Sequence, residues 1–482
     1  MVTLVTLIAF EAMAVSTAMP VAARALGGLR EYGLAFSLFF TTSLAGVAAA
    51  GAWNDARGPR QPLVTGLALF SGGLLLSGSA GTFDLLLVGR AVSGLGAGLQ
   101  IVTLYVVVAT VFPPVLQPRA FGVISAAWVL PSVLGPPVAG LLATTVGWRV
   151  VFLAVPPLAL APLAVLWPRL ARSGPAEEAV EEAAGEPSGD PRGGPSPDPA
   201  PGPSQGRARA DRLTPAAGLV ADVGPRRLVV HGLVLTAGAL LLQWGLQGGG
   251  ALPAAPVVLA GLALAAVGAP GLLPRGLLRL RRGLPGVVVC RALFTGTFFG
   301  AETFVPLMLV EQRGLSPALA GLALTTGAVG WSVGSNVQGR GLLPLTRAGL
   351  LGLGGVVVAT SILGIVPTPS PAVPVWVVPV LWTVGGLGMG LAMSSTSVLT
   401  LRLSVPGEEG RNSAALQIGD VLGSVLGVGV AGALFAALHG RGEDPRAFTV
   451  IWLVLGVVAL LAWPVSRRVA TEPRGAQVTA GV

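Results

Sequence analysis

Apolar stretches follow one another along almost the whole chain, and charges are confined to the gaps between them. A run of about twenty apolar residues crosses a bilayer as a helix, because a helix satisfies its own backbone hydrogen bonds. The pattern is therefore that of a polytopic helical membrane protein. Mean hydropathy is +0.78. Only 11% of residues are charged, too few to cover a soluble globule of 482 residues.

The basic residues orient the chain. All thirty are Arg. Twenty-two fall in alternate loops that share one side, six fall on the other side, and Arg90 and Arg291 sit within spans. That bias makes the Arg-rich side cytoplasmic. The Arg are not gathered into one patch, which argues against nucleic acid as a partner despite an isoelectric point near 11.3. The single cysteine, Cys290, has no partner for an internal disulfide. The first span opens at Val2 without a cleavage-site pattern and reads as a retained helix, with a short preceding tail left open.

Spans are expected near 2–25, 32–53, 62–80, 84–112, 119–144 and 149–168. Eight more are expected near 228–246, 253–273, 286–310, 317–338, 348–366, 375–400, 411–437 and 447–466. The total is about fourteen, which puts both termini in the cytoplasm. The expected all-α organisation is a six-helix bundle over 1–168, a linker over 169–227, two additional helices over 228–273, a second six-helix bundle over 286–466 and a tail over 467–482. The Gly/Ala/Pro-rich pair within 228–273 is the one a twelve-span reading would expel from the membrane.

The linker core, Ser173 to Gly206, is rich in Pro, Gly, Ala and Glu and lacks aromatics. Such a composition buries too little apolar surface to offset its conformational entropy, so disorder is expected. The linker opens acidic (Glu177, Glu178, Glu181, Glu182, Glu186) and closes basic (Arg207, Arg209, Arg212, Arg226, Arg227). It reads as a spacer between bundles or as a tether whose basic end meets lipid head groups. A faint repeat relates the halves. Gly51 to Arg60 joins spans two and three, and Gly334 to Arg340, with Arg347 beyond, leads into the loop after span ten. Repeated halves commonly form a central site that opens to alternate sides.

Three motifs carry the chemistry. In Gly51-Ala-Trp-Asn-Asp55-Ala-Arg57-Gly58-Pro-Arg60, the carboxylate of Asp55 suits helix N-terminal amides, and Arg57 and Arg60 suit carboxylates of a facing bundle. That set reads as a latch between bundles or as an ordinary charged turn. In span four, Arg90 precedes Gly94, Gly96 and Gly98. A buried Arg costs about 2.5–3.5 kcal/mol on insertion scales. Arg90 therefore needs a carboxylate, carbonyls or water, or else it snorkels to the interface. In span five, Pro131, Gly135, Pro136, Pro137 and Gly140 predict a kinked helix, a bend that is either structural or mechanistic.

The first motif resembles the signature loop of the major facilitator superfamily, Gly-x-Leu-Ala-Asp-Arg-x-Gly-Arg-Arg, with Trp53, Ala56 and Pro59 as departures. The resemblance implies that Gly51, Asp55, Arg57, Gly58 and Arg60 stabilise one access state. Leu87 to Gly98 resembles the family's second motif, whose Arg is linked to proton coupling. Trp128 to Gly140 resembles its antiporter motif, Gly-x-x-x-Gly-Pro-x-x-Gly-Gly, with Pro131 and Leu141 replacing the outer glycines. Trp148-Arg149 with Phe152 resembles the opening of its sixth helix. The likeness is strongest over residues 1–170. Fourteen spans and the antiporter motif imply the drug:proton antiporter branch.

Three acids lie at membrane depth: Glu11 in span one, Glu302 in span nine and Asp420 in span thirteen. Asp420 shares one helical face with Ser413, Gln417 and Ser424. Such acids are costly, and each reads as a proton carrier or as the partner of a buried cation. An acid that is neutral when dry and charged when hydrated suits coupling. Expected rank for coupling is Glu302, Glu11, Asp420, with Arg90 beside them. The expected substrate cavity adds Gln100, Phe298, Phe299, Trp331, Asn336, Met389, Met393 and Gln417, because Met and flat aromatics suit loose specificity.

The sequence holds no phosphate loop, metal cluster or catalytic triad. No enzyme activity, cofactor or metal is expected, and an ion gradient is the expected energy source. The expected function is proton-coupled export of amphipathic or cationic small molecules by a monomer in the bacterial inner membrane. Its partners are then small-molecule substrate, protons and membrane lipid. Export of a lipid or endogenous metabolite on the same fold is the alternative, and a non-transporting sensor or scaffold is a further one.

Overall fold

The computed structural model describes residues 2–111, 127, 129–160, 224–247, 254–274, 276–277, 279–405, 408–439 and 445–469. Among the described residues the regular structure is helical, with no strand. The first half comprises α1 (Val2–Ala25), α2 (Tyr32–Arg57), α3 (Arg60–Gly78), α4 (Phe83–Val111), α5 (Val129–Leu142) and α6 (Trp148–Leu153). A pair follows, α7 (Pro225–Leu246) and α8 (Ala254–Gly268). The second half comprises α9 (Leu284–Glu311), α10 (Pro317–Gly339), α11 (Arg347–Gly364), α12 (Val377–Leu403), α13 (Glu409–Leu438), α14 (Pro445–Leu460) and α15 (Ala462–Val469).

Local chemistry sets the helix ends. Ser316 and Thr346 cap α10 and α11 by accepting from Leu319 N–H at 3.4 Å and Gly349 N–H at 3.1 Å. Gly58 closes α2 at φ +69°, donating its N–H to Asn54 O at 2.9 Å. A π-helical turn, Ala143–Gly147, ends α5. Gly147 then breaks the helix at φ +119°, ψ 151°, a conformation essentially restricted to glycine.

Small residues bring the helices together. Cβ atoms at Gly94 and Gly98 of α4 would strike the Phe39 and Ser43 carbonyls of α2. In the second half Gly427 of α13 lies against Gly296 of α9, backbone to backbone. Close approach of this kind is how helices associate where no hydrophobic effect drives them. Buried hydroxyls satisfy themselves on the preceding turn, as Thr103 does on Leu99 O at 2.7 Å and Ser395 on Leu391 O at 2.8 Å. Large apolar side chains instead face outward: Leu130, Leu141, Leu259 and Val267 are each about 60% exposed. An exposed apolar belt of that size suits lipid and not water.

The halves meet through α5 against α10 and α2 against α13. Gly140 abuts Pro317 and Ala318, Gly321 lies against Pro136, and Gly33 abuts Gly432. These contacts, with the Arg24–Glu311 ion pair at 2.5 Å, gather at the end of the bundle where α1 finishes and α2 begins. The α7–α8 pair rides on the α2–α13 seam. Gly232 of α7 seats against Ala48, and Gln243 donates to Thr41 Oγ1 at 2.7 Å.

Several boundaries differ from the sequence reading. Helix α2 continues through Arg57, four residues past its expected end, because Asn54 is buried between helices and holds the last turns. Arg226 and Arg227, expected at the linker's end, form the first turn of α7, opened by Pro225. The remainder of the linker up to 223 lies outside the described residues. Of the expected tail, 467–469 complete α15 and 470–482 lie outside the description. Eleven described helices are long and apolar enough to cross a membrane, with Ala255–Gly271 a shorter apolar one. The count of fourteen is not reached among the described residues. Helix α10 is not among the eleven; it is long enough but carries Thr325, Thr326, Ser332, Ser335, Asn336 and Gln338.

Candidate functional site

Among the described residues, each half holds one arginine–carboxylate pair inside the membrane-spanning helices. In the first, Arg90 of α4 donates through Nη1 to Glu11 Oε1 of α1 and through Nε to Ala35 O of α2 at 3.0 Å. The Arg90 guanidinium also lies 4.4 Å over the Phe39 ring. Arg90 is 2% exposed and Glu11 1%. Arg90 therefore does not snorkel; a carboxylate, a carbonyl and an aromatic face replace its water. Glu11 Oε2 is buried without a hydrogen-bond partner.

In the second half, Arg291 of α9 donates through Nε to Asp420 Oδ1 of α13 at 2.6 Å. Its Nη1 reaches Thr396 Oγ1 at 3.0 Å and Met393 O at 3.2 Å on α12. The side chains are 13% and 25% exposed, so this pair meets solvent. Tyr105 of α4 reaches it across the gap between halves, sharing a hydrogen bond with Gln417.

Glu302 stands apart. It is half-buried on α9, and among the described residues it has no ion pair or hydrogen bond. The next residue, Thr303, accepts through its carbonyl from Tyr32 Oη of α2 at 3.0 Å. One turn away begins an aromatic wall. Phe298 stacks on Trp382 at 4.8 Å and meets Trp331 edge-on at 6.0 Å. Phe299 lies 6.4 Å from both Trp331 and Phe40 of α2. The wall thus joins α9, α10 and α12 to the first half.

The other expected cavity residues separate. Gln100 is fully buried between α3 and α4, donating to Gly66 O at 3.2 Å. Met389 and Met393 are buried in α12, with Met393 presenting its carbonyl to Arg291. Asn336 is exposed near the end of α10 and donates to Ser332 O at 2.9 Å. Gln417 falls instead beside the Arg291–Asp420 pair. The sequence reading missed Tyr32 and Tyr105. They are the chain's two tyrosines, and both bridge the halves.

The signature segment lies at the opposite end from Arg24. Asp55 and Arg57 are exposed in the last turn of α2 and make no ion pair with a described residue. Asn54 behind them donates to Ala50 O at 2.7 Å and Thr103 Oγ1 at 3.1 Å. Gly51 meets nothing closely, and Arg60 opens α3. In the antiporter segment Pro131, Gly135, Pro136 and Gly140 are buried, and Pro137 is half-buried. Gly135 faces α1, with an added Cβ 3.3 Å from Met13, while Gly140 faces α10. The segment is the seam itself, and its small residues let α5 sit between α1 and α10. Trp128 lies outside the described residues. The Trp148–Arg149 step anchors α6, with Arg149 donating to Ala80 O at 3.0 Å.

Comparison with known proteins agrees with this architecture. The Major Facilitator Superfamily model matches residues 1–204. A probable multidrug-efflux transporter of Mycobacterium tuberculosis is 25% identical over 455 residues, covering 91% of this chain and 87% of that one. The methylenomycin A resistance protein of Streptomyces coelicolor is 24% identical over 89% of this chain and 83% of its own. Among solved structures, a bacterial homologue of the human lysosomal transporter Spinster, inward-facing and unoccupied, aligns over 97% of this chain and 96% of its own. The TM-score is 0.61 at 15% identity. A paired-bundle helical fold, a multi-pass apolar surface and the signature segments thus agree with these likenesses: the first 204 residues match the major facilitator superfamily model, and the whole chain is similar to membrane transporters of that fold.

Proposed function

We propose that the chain is a proton-coupled exporter of amphipathic or cationic small molecules, of the fourteen-helix drug:proton antiporter kind, in the bacterial inner membrane. The observation that carries this reading is Glu302: an acid within a spanning helix, without a cation partner, next to an aromatic wall that joins both halves. Glu11 and Asp420 each already hold an arginine. Glu302 alone among the three acids is free to exchange a proton for a cationic substrate. The names of the two relatives support efflux as the direction.

The arginine bias makes the end bearing Asp55 cytoplasmic. The end closed by Arg24–Glu311 and Gly33–Gly432 is then external, and the chain is in its inward-facing state. In this state a substrate enters from the cytoplasm, spreads its apolar part on Phe298, Phe299 and Trp331, and places its charge near a deprotonated Glu302. Rocking the halves closes the cytoplasmic end, where Asp55 and Arg57 gain partners. A proton arriving from outside neutralises Glu302 and releases the cation. The proton leaves to the cytoplasm when the halves return.

The test is Glu302→Gln, which preserves shape but does not titrate. Everted vesicles carrying the variant are expected to show no proton-driven accumulation of a fluorescent cationic substrate. Substrate binding in detergent should persist and lose its dependence on pH between about 6 and 8. Transport at the wild-type rate, sensitive to an uncoupler, would overturn the assignment.

A further inference from the structure

A basic corner of the described surface plays no part in this cycle. Arg226 and Arg227 open α7, Arg279, Arg281 and Arg282 lie in the segment before α9, and Arg467 and Arg468 end α15. All seven are exposed, and none pairs with a carboxylate of the described residues. One backbone tie joins the 279–282 segment to α15, and side-chain packing holds the start of α7 beside the turn after α8. Gly283 N–H donates to Arg468 O at 3.1 Å, which fixes the 279–282 segment against α15. The turn after α8 closes on the first turns of α7, where Gly271 abuts the His231 ring and His231 Nδ1 lies 2.7 Å from Arg227 O. Leu280 adopts φ +46°, the left-handed region, and packs on the core while Arg279 and Arg281 beside it stay exposed.

Two features select the ligand. First, Arg226 and Arg227 add positive charge at the positive end of the α7 dipole, an arrangement that is relieved by an anion. Second, the basic surface continues directly into an apolar one. Ala462, Val465, Ser466 and Val469 bury one face of α15, while Trp463 is 43% exposed with Arg467 5.1 Å from its ring. Leu460 and Leu461 before it are 42% and 51% exposed. An arginine cluster bordering exposed Trp and Leu at a helix end matches an amphiphile: an anionic head on the guanidinium groups and acyl chains on the apolar rim.

We propose that this corner, between the 279–282 segment, α15 and the start of α7, binds the phosphate headgroup of an anionic glycerophospholipid. The acidic stretch Glu177 to Glu186 could satisfy the charge but not the apolar rim, so lipid is the assigned occupant. The site links the end of α15 to the start of α9, and thus anchors the helix that carries Arg291 and Glu302.

The probe is phosphatidylglycerol on the full chain. Native mass spectrometry follows phosphatidylglycerol retained by protein released from mixed phosphatidylcholine–phosphatidylglycerol nanodiscs. The test variant combines Arg281→Gln, Arg282→Gln, Arg467→Gln and Arg468→Gln. A control combines Arg57→Gln and Arg340→Gln, exposed arginines elsewhere. Four guanidinium groups near an anionic head should change retention by on the order of tenfold or more. Retention is expected to fall in the test variant, to hold in the control and to weaken with salt. Uptake and thermal midpoint of the variant in phosphatidylcholine alone, compared with wild type, show whether it is folded. Equal retention by both variants overturns the proposal. So does competition by glycerol phosphate as effective as that by the lipid, which would mean a free-phosphate site. Retention seen only after removal of residues 173–206 would make the linker the occupant and also overturn it. None of these outcomes depends on Glu302 coupling, so the site and the transport reading fail separately.

Discussion

In the first half Arg90 and Glu11 are sealed, 3% and 1% exposed as side chains; in the second Arg291 and Asp420 are 13% and 25% exposed and have Tyr105 of the opposite half beside them. Both pairs join neighbouring helices of one half. They differ in what can reach them. A sealed pair behaves as a unit, since removing either charge strands the other in low dielectric. A pair open to the gap can lose or gain a proton or a counter-ion during a cycle, because water supplies the alternative partner. Glu302 extends the series: it lies on the same helix as Arg291, eleven residues on, about 16 Å along the axis, and thus beyond that arginine's reach. The three acids form a gradient from fixed to free, and the coupling role we propose falls on the free one.

The largest expected effect comes from breaking the sealed pair. Arg90→Met leaves Glu11 buried and unpaired and should cost about 3–5 kcal/mol of stability. Arg291→Met, with solvent at hand, should cost about 1–2 kcal/mol, between the exposed and the buried case. Thermal unfolding in detergent, followed by size-exclusion fluorescence, ranks them. Glu11→Leu with Arg90→Met should recover most of the loss, since apolar replacement of both partners is often neutral. Equal losses for the two arginine variants would erase the distinction between the pairs.

A smaller effect sharpens the same contrast. Tyr105→Phe keeps the ring and removes the hydroxyl shared with Gln417 across the gap. A hydrogen bond of that kind is worth about 0.5–1.5 kcal/mol, enough to shift a two-state population by roughly two- to tenfold. Efflux rate should change by that factor while the unfolding midpoint stays within error. A lowered midpoint with unchanged efflux would place Tyr105 in the fold and not in the cycle.

What the sequence made legible follows from how far each signal reaches along the chain. Spans were legible because twenty apolar residues are a local pattern, and the start set by Ser316 is local as well; the end set by Gly58 was read four residues early because the charged turn there still belongs to the helix. The two ion pairs were half legible. The cost of Arg90 demanded a carboxylate or carbonyls, but Glu11 is 79 residues away, and only the fold pairs them. Gln100 read as a cavity residue since a polar side chain within a span needs partners. It finds carbonyls on its own and the adjacent helix instead, which no spacing rule reveals. Tyr32 and Tyr105 escaped notice because a hydroxyl on a ring is ordinary in an apolar span. Their scarcity in 482 residues was the available signal. The basic corner escaped for the same reason as the pairs: its arginines lie far apart in sequence and meet only where α15 returns beside the start of α9.

The smallest effect concerns a third pair, Arg24–Glu311, at the closed end. It is the surface counterpart of the other two: the Arg24 side chain is 60% exposed, that of Glu311 16%. Exposed pairs contribute about 0.2–1 kcal/mol, so Arg24→Gln should leave folding and efflux nearly unchanged. Yet the pair bridges α1 and α9 where the halves close, so its loss should raise the open fraction of that end by roughly 1.4- to fivefold. The native thiol offers little background, since Cys290 is fully buried. Ala320, fully buried at the start of α10 beside the seam, is the reporter position. In an Ala320→Cys background, Arg24→Gln should accelerate labelling by an impermeant maleimide. Added salt should accelerate it in the parent and scarcely in the variant, because screening already mimics the missing charge. If labelling is slow and salt-independent in both, packing at Gly33–Gly432 and Gly140–Ala318 closes the end without help from charge. The gradient from sealed to exposed pairs would then end at Asp420.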